Sequence, residues 1–380
     1  MAAQRFEINF PQSDINDLLV RLERIRWPKD LQGSGWERGT EQKALEEIVT
    51  YWKESFDWRH QELLLNQFSH YYSQIENVKV HFIHEKGKGP SPIPIVLTHG
   101  WPDSIFRYQK VIQMLADPER FGGDPQDAFD VIVPSLPGFC LSDGPLPEGI
   151  NNYVVARLWH RLMTEELGYT RYGAGGGDIG SGVSRYIAMQ HPESVIGIHV
   201  TDIGIVRSLL TADEKSLSEE ERKYCIAVQD WIKTEGAYMQ LQATKPRTLA
   251  WALNDSPLGL ASWILEKFMS WGDCNGRLCN TFSYDDLLTN ITLYWLTGTA
   301  GSAANIYYEN MHGLSPVDTA QVPVGMAQFA GDMLPPPRHW AEKNMNIIHW
   351  DNIPRGGHFT ALENPEMFVE SVRTFYRKLR

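Results

Sequence analysis

A carboxylate stands at the centre of a five-residue glycine turn, Gly176-Gly177-Asp178-Ile179-Gly180. Between a strand and a helix, the pattern Gly-x-nucleophile-x-Gly makes a turn so tight that only glycine or very small residues fit beside its centre. The central side chain then projects over the sheet. In that setting Asp178 would attack an electrophile and form an ester, which water must later cleave. Such a step needs a base to activate the water and an acid to orient the base. Of the twelve histidines, His358 alone sits in a glycine-rich loop after the last predicted strand, in Arg355-Gly356-Gly357-His358-Phe359. Asp332, in Ala330-Gly331-Asp332-Met333, follows the strand before it. Asp351 competes for the acid's role from the strand leading to His358, and Asp332 is preferred. His99-Gly100-Trp101-Pro102 follows a buried strand, where the backbone N–H of Trp101, paired with that of Ile179, would form an oxyanion hole.

The same turn also spells Gly175-x-Gly177-x-x-Gly180, a dinucleotide fingerprint. A dinucleotide unit would place an acid at the end of the next strand, about 20 residues on. Glu193 is near that spacing but precedes the strand at 195–200, and three predicted strands already lie before the motif. Alone, a flexible glycine turn with a capping aspartate would explain the residues equally well. The order along the chain, nucleophile, acid, histidine, decides for the nucleophile, and that order belongs to the α/β-hydrolase fold.

The elements that must position these groups follow from periodicity. Residues 13–26 put Ile15, Leu18, Leu19, Leu22 and Ile25 on one helical face, with Ser13 as the expected N-cap and Trp27-Pro28 as the stop. A second amphipathic helix, capped by Thr40, carries Leu45, Ile48, Val49 and Trp52. Residues 1–75 therefore read as a helical leader. Strands are expected at 78–82, 93–97 (weakened by Pro94), 129–133, 171–177 and 195–200, with helices over 151–167 and 179–191. This alternation predicts a mostly parallel sheet covered by helices. Residues 204–310 break the rhythm: they are helical in pattern, open on the acids Asp213, Glu214, Glu219, Glu220 and Glu221, and read as an inserted cap. Strands at 322–329 and 346–350 and a helix from 364 to 377 close the fold. The expected division is leader 1–75, core 76–203, cap 204–310 and core again 311–380, with ligands collecting at the carboxyl ends of the strands under the cap.

Bulk properties exclude several functions. In 380 residues, 42% are hydrophobic and 11% aromatic, which supports a large core. A formal net charge of −12 with scattered Lys and Arg argues against nucleic acid and anionic membrane surfaces. Cys140, Cys225, Cys274 and Cys279 are too few and too far apart for a disulfide framework, and the last pair lacks the spacing of a zinc or redox site. No cofactor or metal is expected. Without a secretory signal or a long apolar run, the chain is expected to be soluble, cytoplasmic and free of a membrane anchor. Asn254-Asp255-Ser256 and Asn290-Ile291-Thr292 match the glycosylation pattern but mean little in that setting.

Over nearly its whole length the sequence resembles the epoxide hydrolases of the microsomal type, most closely their soluble fungal and bacterial members. The resemblance rests on Leu18-Leu19-x-Arg21-Leu22 through Arg26-Trp27-Pro28, His99-Gly100-Trp101-Pro102, Pro134-Ser135-Leu136-Pro137-Gly138-Phe139 and the elbow. In the cap it continues through Gln242-Ala243-Thr244-Lys245-Pro246, Ala252-Leu253-Asn254-Asp255-Ser256-Pro257, Leu287-Leu288-Thr289-Asn290 and Tyr294-Trp295-x-Thr297-Gly298-Thr299, and ends on the His358 motif. It implies a small hydrophobic epoxide and water as substrates, an alkyl-enzyme ester on Asp178, and a vicinal diol as product. It further implies two cap tyrosines that hydrogen-bond the epoxide oxygen. Tyr238 and Tyr307 match those positions, with Tyr308 the nearest rival. A homodimer is implied only by the resemblance. The mammalian microsomal enzymes carry a membrane anchor, commonly with Trp after the nucleophile and Glu as the acid, where this chain has Ile179 and Asp332. A haloalkane or haloacid dehalogenase would share Asp178, Asp332 and His358 but would cradle a halide with N–H donors instead of phenols. A catalytically silent binding module is disfavoured by the intact triad, and a serine esterase by aspartate at the elbow. How the cap indoles Trp231, Trp251, Trp263, Trp271 and Trp295 shape the pocket, and hence which epoxide fits, is left open by spacing.

Overall fold

The computed structural model describes residues 3–29, 35–144, 146–204, 215, 217–314, 316 and 319–380. The acids Asp213 and Glu214, expected to open the cap, lie outside the described residues. The strands are β1 (Gln4–Phe6), β2 (His70–Ile75), β3 (Val78–Glu85), β4 (Ile93–Thr98), β5 (Phe129–Pro134), β6 (Tyr172–Gly176), β7 (Val195–Val200), β8 (Ala320–Phe329) and β9 (Met345–Ile353). They form one sheet in the order β1-β2-β3-β5-β4-β6-β7-β8-β9. From β1 to β5 the neighbours pair antiparallel. From β5 through β4, β6, β7 and β8 to β9 every pair is parallel. Strands β4, β5 and β6 are buried on both faces, which is why they read as apolar or small-residue runs without alternation. Pro94 is tolerated because β4 begins to pair with β6 only at Ile95.

Helices α1 (Gln12–Glu23), α2 (Gln42–Glu54) and α3 (Trp58–Leu65) precede the main sheet, followed by α4 (Ile112–Ala116), α5 (Asn152–Arg161) and α6 (Ile179–Gln190). Between β7 and β8 run α7 (Glu219–Thr234), α8 (Ala237–Thr244), α9 (Pro246–Asp255), α10 (Pro257–Trp271), α11 (Tyr284–Thr297) and α12 (Ala300–His312). The chain closes with α13 (Arg338–Ala341), α14 (Thr360–Glu363) and α15 (Pro365–Arg377). Among the described residues none of these is long and apolar enough to cross a membrane. All four cysteines are free, and only Cys279 is exposed.

The leader is less purely helical than its periodicity predicts, since it supplies β1 and β2 to the edge of the sheet. Its expected caps differ as well. Helix α1 starts after Pro11, while the Ser13 hydroxyl donates to the side chain of Asp14. Helix α2 starts after Glu41, because the Thr40 hydroxyl is spent on the Ser262 carbonyl at 2.7 Å. That bond belongs to a set joining the leader to the helices between β7 and β8. The Trp52 indole N–H donates to Thr292 Oγ1 at 3.1 Å, the Tyr51 hydroxyl to Asp285 at 3.0 Å, and Arg21 to the Asp255 carbonyl at 2.8 Å.

Candidate active site

Backbone crowding makes the elbow. A Cβ on Gly180 would come within 1.9 Å of the Thr98 carbonyl oxygen, and one on Gly176 within 2.5 Å of it, so β4 and the turn approach at a distance only glycine allows. Asp178, between them, takes φ +56° and ψ −125°, a region L side chains rarely occupy, and it begins α6. Its Oδ1 accepts the Trp101 N–H at 2.9 Å. The Ile179 N–H, the other expected donor, opens α6 alongside and makes no hydrogen bond to Asp178 among the described residues. The helix N-terminus itself favours a negative group at that point.

His358 reaches the nucleophile from the loop after β9. Its Nε2 lies 3.5 Å from Asp178 Oδ2, and its Nδ1 lies 3.0 Å from Asp332 Oδ1 in the loop after β8. The competitor Asp351 points elsewhere, accepting from His349 Nε2 at 2.8 Å. The histidine loop is fixed by three contacts that carry no chemistry of their own. The His358 N–H donates to the Trp271 carbonyl at 2.8 Å. Arg107, ion-paired with Asp103, donates to the His358 carbonyl at 2.5 Å. The half-buried Glu363 carboxylate accepts the N–H groups of Asp273, Gly357 and Phe359 at 2.9, 2.8 and 2.8 Å.

Charge is concentrated here. Burial alone would push the His358 imidazolium down, but Asp332 and Asp178 outweigh it and raise the group to about 10. A third carboxylate escaped the sequence reading. Asp202, just past β7, accepts the Asp178 N–H at 2.6 Å and the Ser181 hydroxyl at 3.1 Å. Burial, helped by the charges of Asp332 and Asp178, pushes its carboxyl up to about 6 against the pull of His358. The signal was available: Asp202 follows an apolar strand at its carboxyl end, the same placement that singled out Asp332.

The two matched tyrosines converge on the nucleophile's pocket. The Tyr238 ring stacks on Trp101 at 5.0 Å between centroids, and Tyr307 meets Trp101 edge-on at 5.9 Å. The two phenol rings lie 5.9 Å apart. Burial, then the charges around them, Asp178 included, raise both phenols well above their ordinary value, so both keep their protons at neutral pH. Tyr308 faces away, 39% exposed and stacked on His312. Trp263 and Trp271 also pack on Trp101, and neither indole N–H has a hydrogen-bond partner among the described residues. Trp231 meets Tyr238 edge-on, whereas Trp251 is 75% exposed and Trp295 lies under the Arg21 guanidinium of the leader. Among the described residues no cluster of His, Cys, Asp and Glu is arranged to hold a metal ion. The arrangement offers a carboxylate nucleophile, a histidine–carboxylate pair and two protonated phenols around one pocket.

Residues 3–108 match the family model described as the epoxide hydrolase N terminus, and residues 93–255 match that of the alpha/beta hydrolase fold. A protein of Stigmatella aurantiaca (strain DW4/3-1) named "Putative epoxide hydrolase" is 41% identical over 377 residues, 99% of this chain and 85% of the relative. Epoxide hydrolase 1 of Sus scrofa is 34% identical over 398 residues, 97% of this chain and 87% of the relative. The crystal structure of juvenile hormone epoxide hydrolase from the silkworm Bombyx mori superposes with a TM-score of 0.89 at 28% identity, covering 100% of this chain and 95% of that one.

Proposed function

We propose a residue-level mechanism from one premise, that the chain belongs to the epoxide hydrolase family and carries its α/β-hydrolase fold. The substrate is a small hydrophobic epoxide, in keeping with the aromatic lining of the pocket. Tyr238 and Tyr307 donate hydrogen bonds to the ring oxygen while the Asp178 carboxylate attacks a ring carbon. The carbon–oxygen bond breaks, an ester forms on Asp178, and the alkoxide takes a proton from the phenols. An alkoxide is a poor leaving group, so donors placed where its charge develops lower the barrier most.

Ester formation resets the charge around His358. While Asp178 is ionised, the imidazolium is held protonated. Esterification removes that charge, the pKa of His358 falls, its proton passes to the phenolate left by ring opening, and the now neutral Nε2 can take a proton from water. The hydroxide equivalent attacks the ester carbonyl, whose oxygen is Oδ1, already held by the Trp101 N–H. The tetrahedral oxyanion is stabilised there and by the N–H of Ile179. It then collapses to release the vicinal diol and regenerate the carboxylate, with Asp332 orienting the imidazole throughout.

The observation that supports this reading is that Asp178, 3.5 Å from His358 Nε2, accepts the N–H of Trp101, the residue on which both protonated phenols pack. A dehalogenase would have no use for the phenols. The test is intact-mass spectrometry of the His358→Gln variant after exposure to styrene oxide. An adduct of substrate mass on the 171–185 segment is expected; absence of the adduct defeats the covalent route. Asp178→Ala should form neither adduct nor diol.

A further inference from the structure

The face of α10 that looks into the site carries a residue this mechanism leaves unused. Trp263, Lys267 and Trp271 recur at i, i+4 and i+8, so they share one face of the helix. Both indoles pack on Trp101, and Lys267 between them is 5% exposed. Lysine is almost never buried to that degree without partners. Its Nζ pairs with Glu266 Oε2 at 2.5 Å, and it sits 4.7 Å from the centroid of the Tyr238 ring and 5.6 Å from that of Trp271. The cation therefore lies over the π-face of a phenol placed in the pocket to serve the epoxide oxygen.

We infer that Lys267 is a positioning residue for ring opening, acting through Tyr238 by holding a positive charge over the ring as its hydroxyl donates to the epoxide oxygen. This rests on the reading of Tyr238 as a donor. The physical reason is differential. A cation is drawn to the negative face of an aromatic ring. As the phenol passes its proton toward the forming alkoxide, its ring becomes more negative, so the attraction is stronger in the transition state than before it. Only such a gain speeds the step. Glu266 and Glu235 act in the opposite sense, since their charges hold the Tyr238 proton on more tightly. Removing the ammonium would leave those two acids unopposed.

The test separates ring opening from ester hydrolysis by following ester formation and decay in single turnovers. Lys267→Met should slow ring opening by roughly 3- to 30-fold, the range a partly desolvated cation–π contact supplies. Ester hydrolysis should be unchanged, and Lys267→Arg should recover most of the loss. In a Tyr238→Phe background the same Lys267→Met change should cost nothing further, because the group through which it acts is gone. An equal loss in both backgrounds, or no loss in either, overturns the proposal. Tyr238→Phe opening the ring at the full rate would sink the donor role of Tyr238 and the Lys267 proposal with it, a distinct outcome. Should Lys267→Met fail to fold, Glu266→Gln gives the converse: a moderately faster ring opening is expected, and an unchanged rate overturns the proposal.

Discussion

Around His358 the negative charges outnumber the positive. Asp178 and Asp332 flank its two nitrogens, and Asp202 adds a third carboxylate through the backbone of the nucleophile. Asp202→Asn keeps a carbonyl oxygen for the Asp178 N–H, so the elbow should hold its shape while one charge disappears. With less negative charge nearby, the imidazolium of the ester intermediate is less favoured. The acid limb of ester hydrolysis should therefore move to lower pH, read from single-turnover rates between about pH 5 and 8. An unmoved limb would mean that Asp202 is electrostatically silent. At this scale much of the site was legible, because Asp178, Asp332 and His358 each follow a strand announced by its own run of apolar or, before Asp178, small residues. The preference for Asp332 over Asp351 rested on position along the chain alone, and the geometry behind it is visible only in the fold: Asp332 lies 3.0 Å from His358 Nδ1, while Asp351, inside β9, pairs with His349. Asp202 was passed over although its place after β7 was legible, because its contact with the main chain of residue 178 leaves no mark in residue types to say what it would do there. Lys267 was hidden differently, as a charged residue on a helix ordinarily marks the wet face, and here the two flanking indoles mark the buried one.

The loop bearing His358 depends on α14, whose Glu363 gathers the N–H groups of Asp273, Gly357 and Phe359 on one half-buried carboxylate. Glu363→Ala would strand three buried donors, each costing ~1–3 kcal/mol if it finds no partner, so a loss of about 3 kcal/mol or more is expected. Denaturant titration measures it, and a change below ~1 kcal/mol would show that water or a shifted loop replaces the carboxylate. Diol formation should fall with it, because His358 lies between two of those donors in sequence. The central elements were readable for a simple reason: strands buried on both faces and the helices between them are set by their own composition. Strands β1 and β2 were not. Gln4–Phe6 is three residues long, and His70–Ile75 is polar enough to pass for loop; β2 is a strand because β3 offers it an edge, and β1 because β2 then offers the next. The caps Ser13 and Thr40 failed for a related reason, since a hydroxyl that can cap a helix can equally well bond a neighbouring carboxylate, as Ser13 does, or a distant carbonyl, as Thr40 does.

For the whole molecule, the site sets a pH dependence of stability. His358 is raised in the folded state to about 10 from an ordinary value near 6.5, so the folded protein binds that proton more tightly than the unfolded chain. Its contribution is fully present below about pH 6.5 and is lost as pH rises through about 10. Asp202, raised to about 6, works in the same direction at lower pH, its contribution fading as pH rises from the ordinary carboxylate range through 6. Unfolding free energies of the wild type should therefore decline from pH 6.5 toward 10. Asp178→Asn, which removes one of the charges that raise His358, should decline less steeply, and equal slopes would show that the charge of Asp178 does not hold the proton on His358.

The hydrogen bonds that join the leader to the helices between β7 and β8 have a consequence in time. Trp52 waits for Thr292, Tyr51 for Asp285, Thr40 for Ser262 and Arg21 for Asp255, separations of 240, 234, 222 and 234 residues. On a ribosome adding roughly 5–20 residues per second, the leader emerges more than ten seconds before its partners exist. Its apolar stripes must stay uncommitted for that interval, so the part of the protein made first is among the last to find its place.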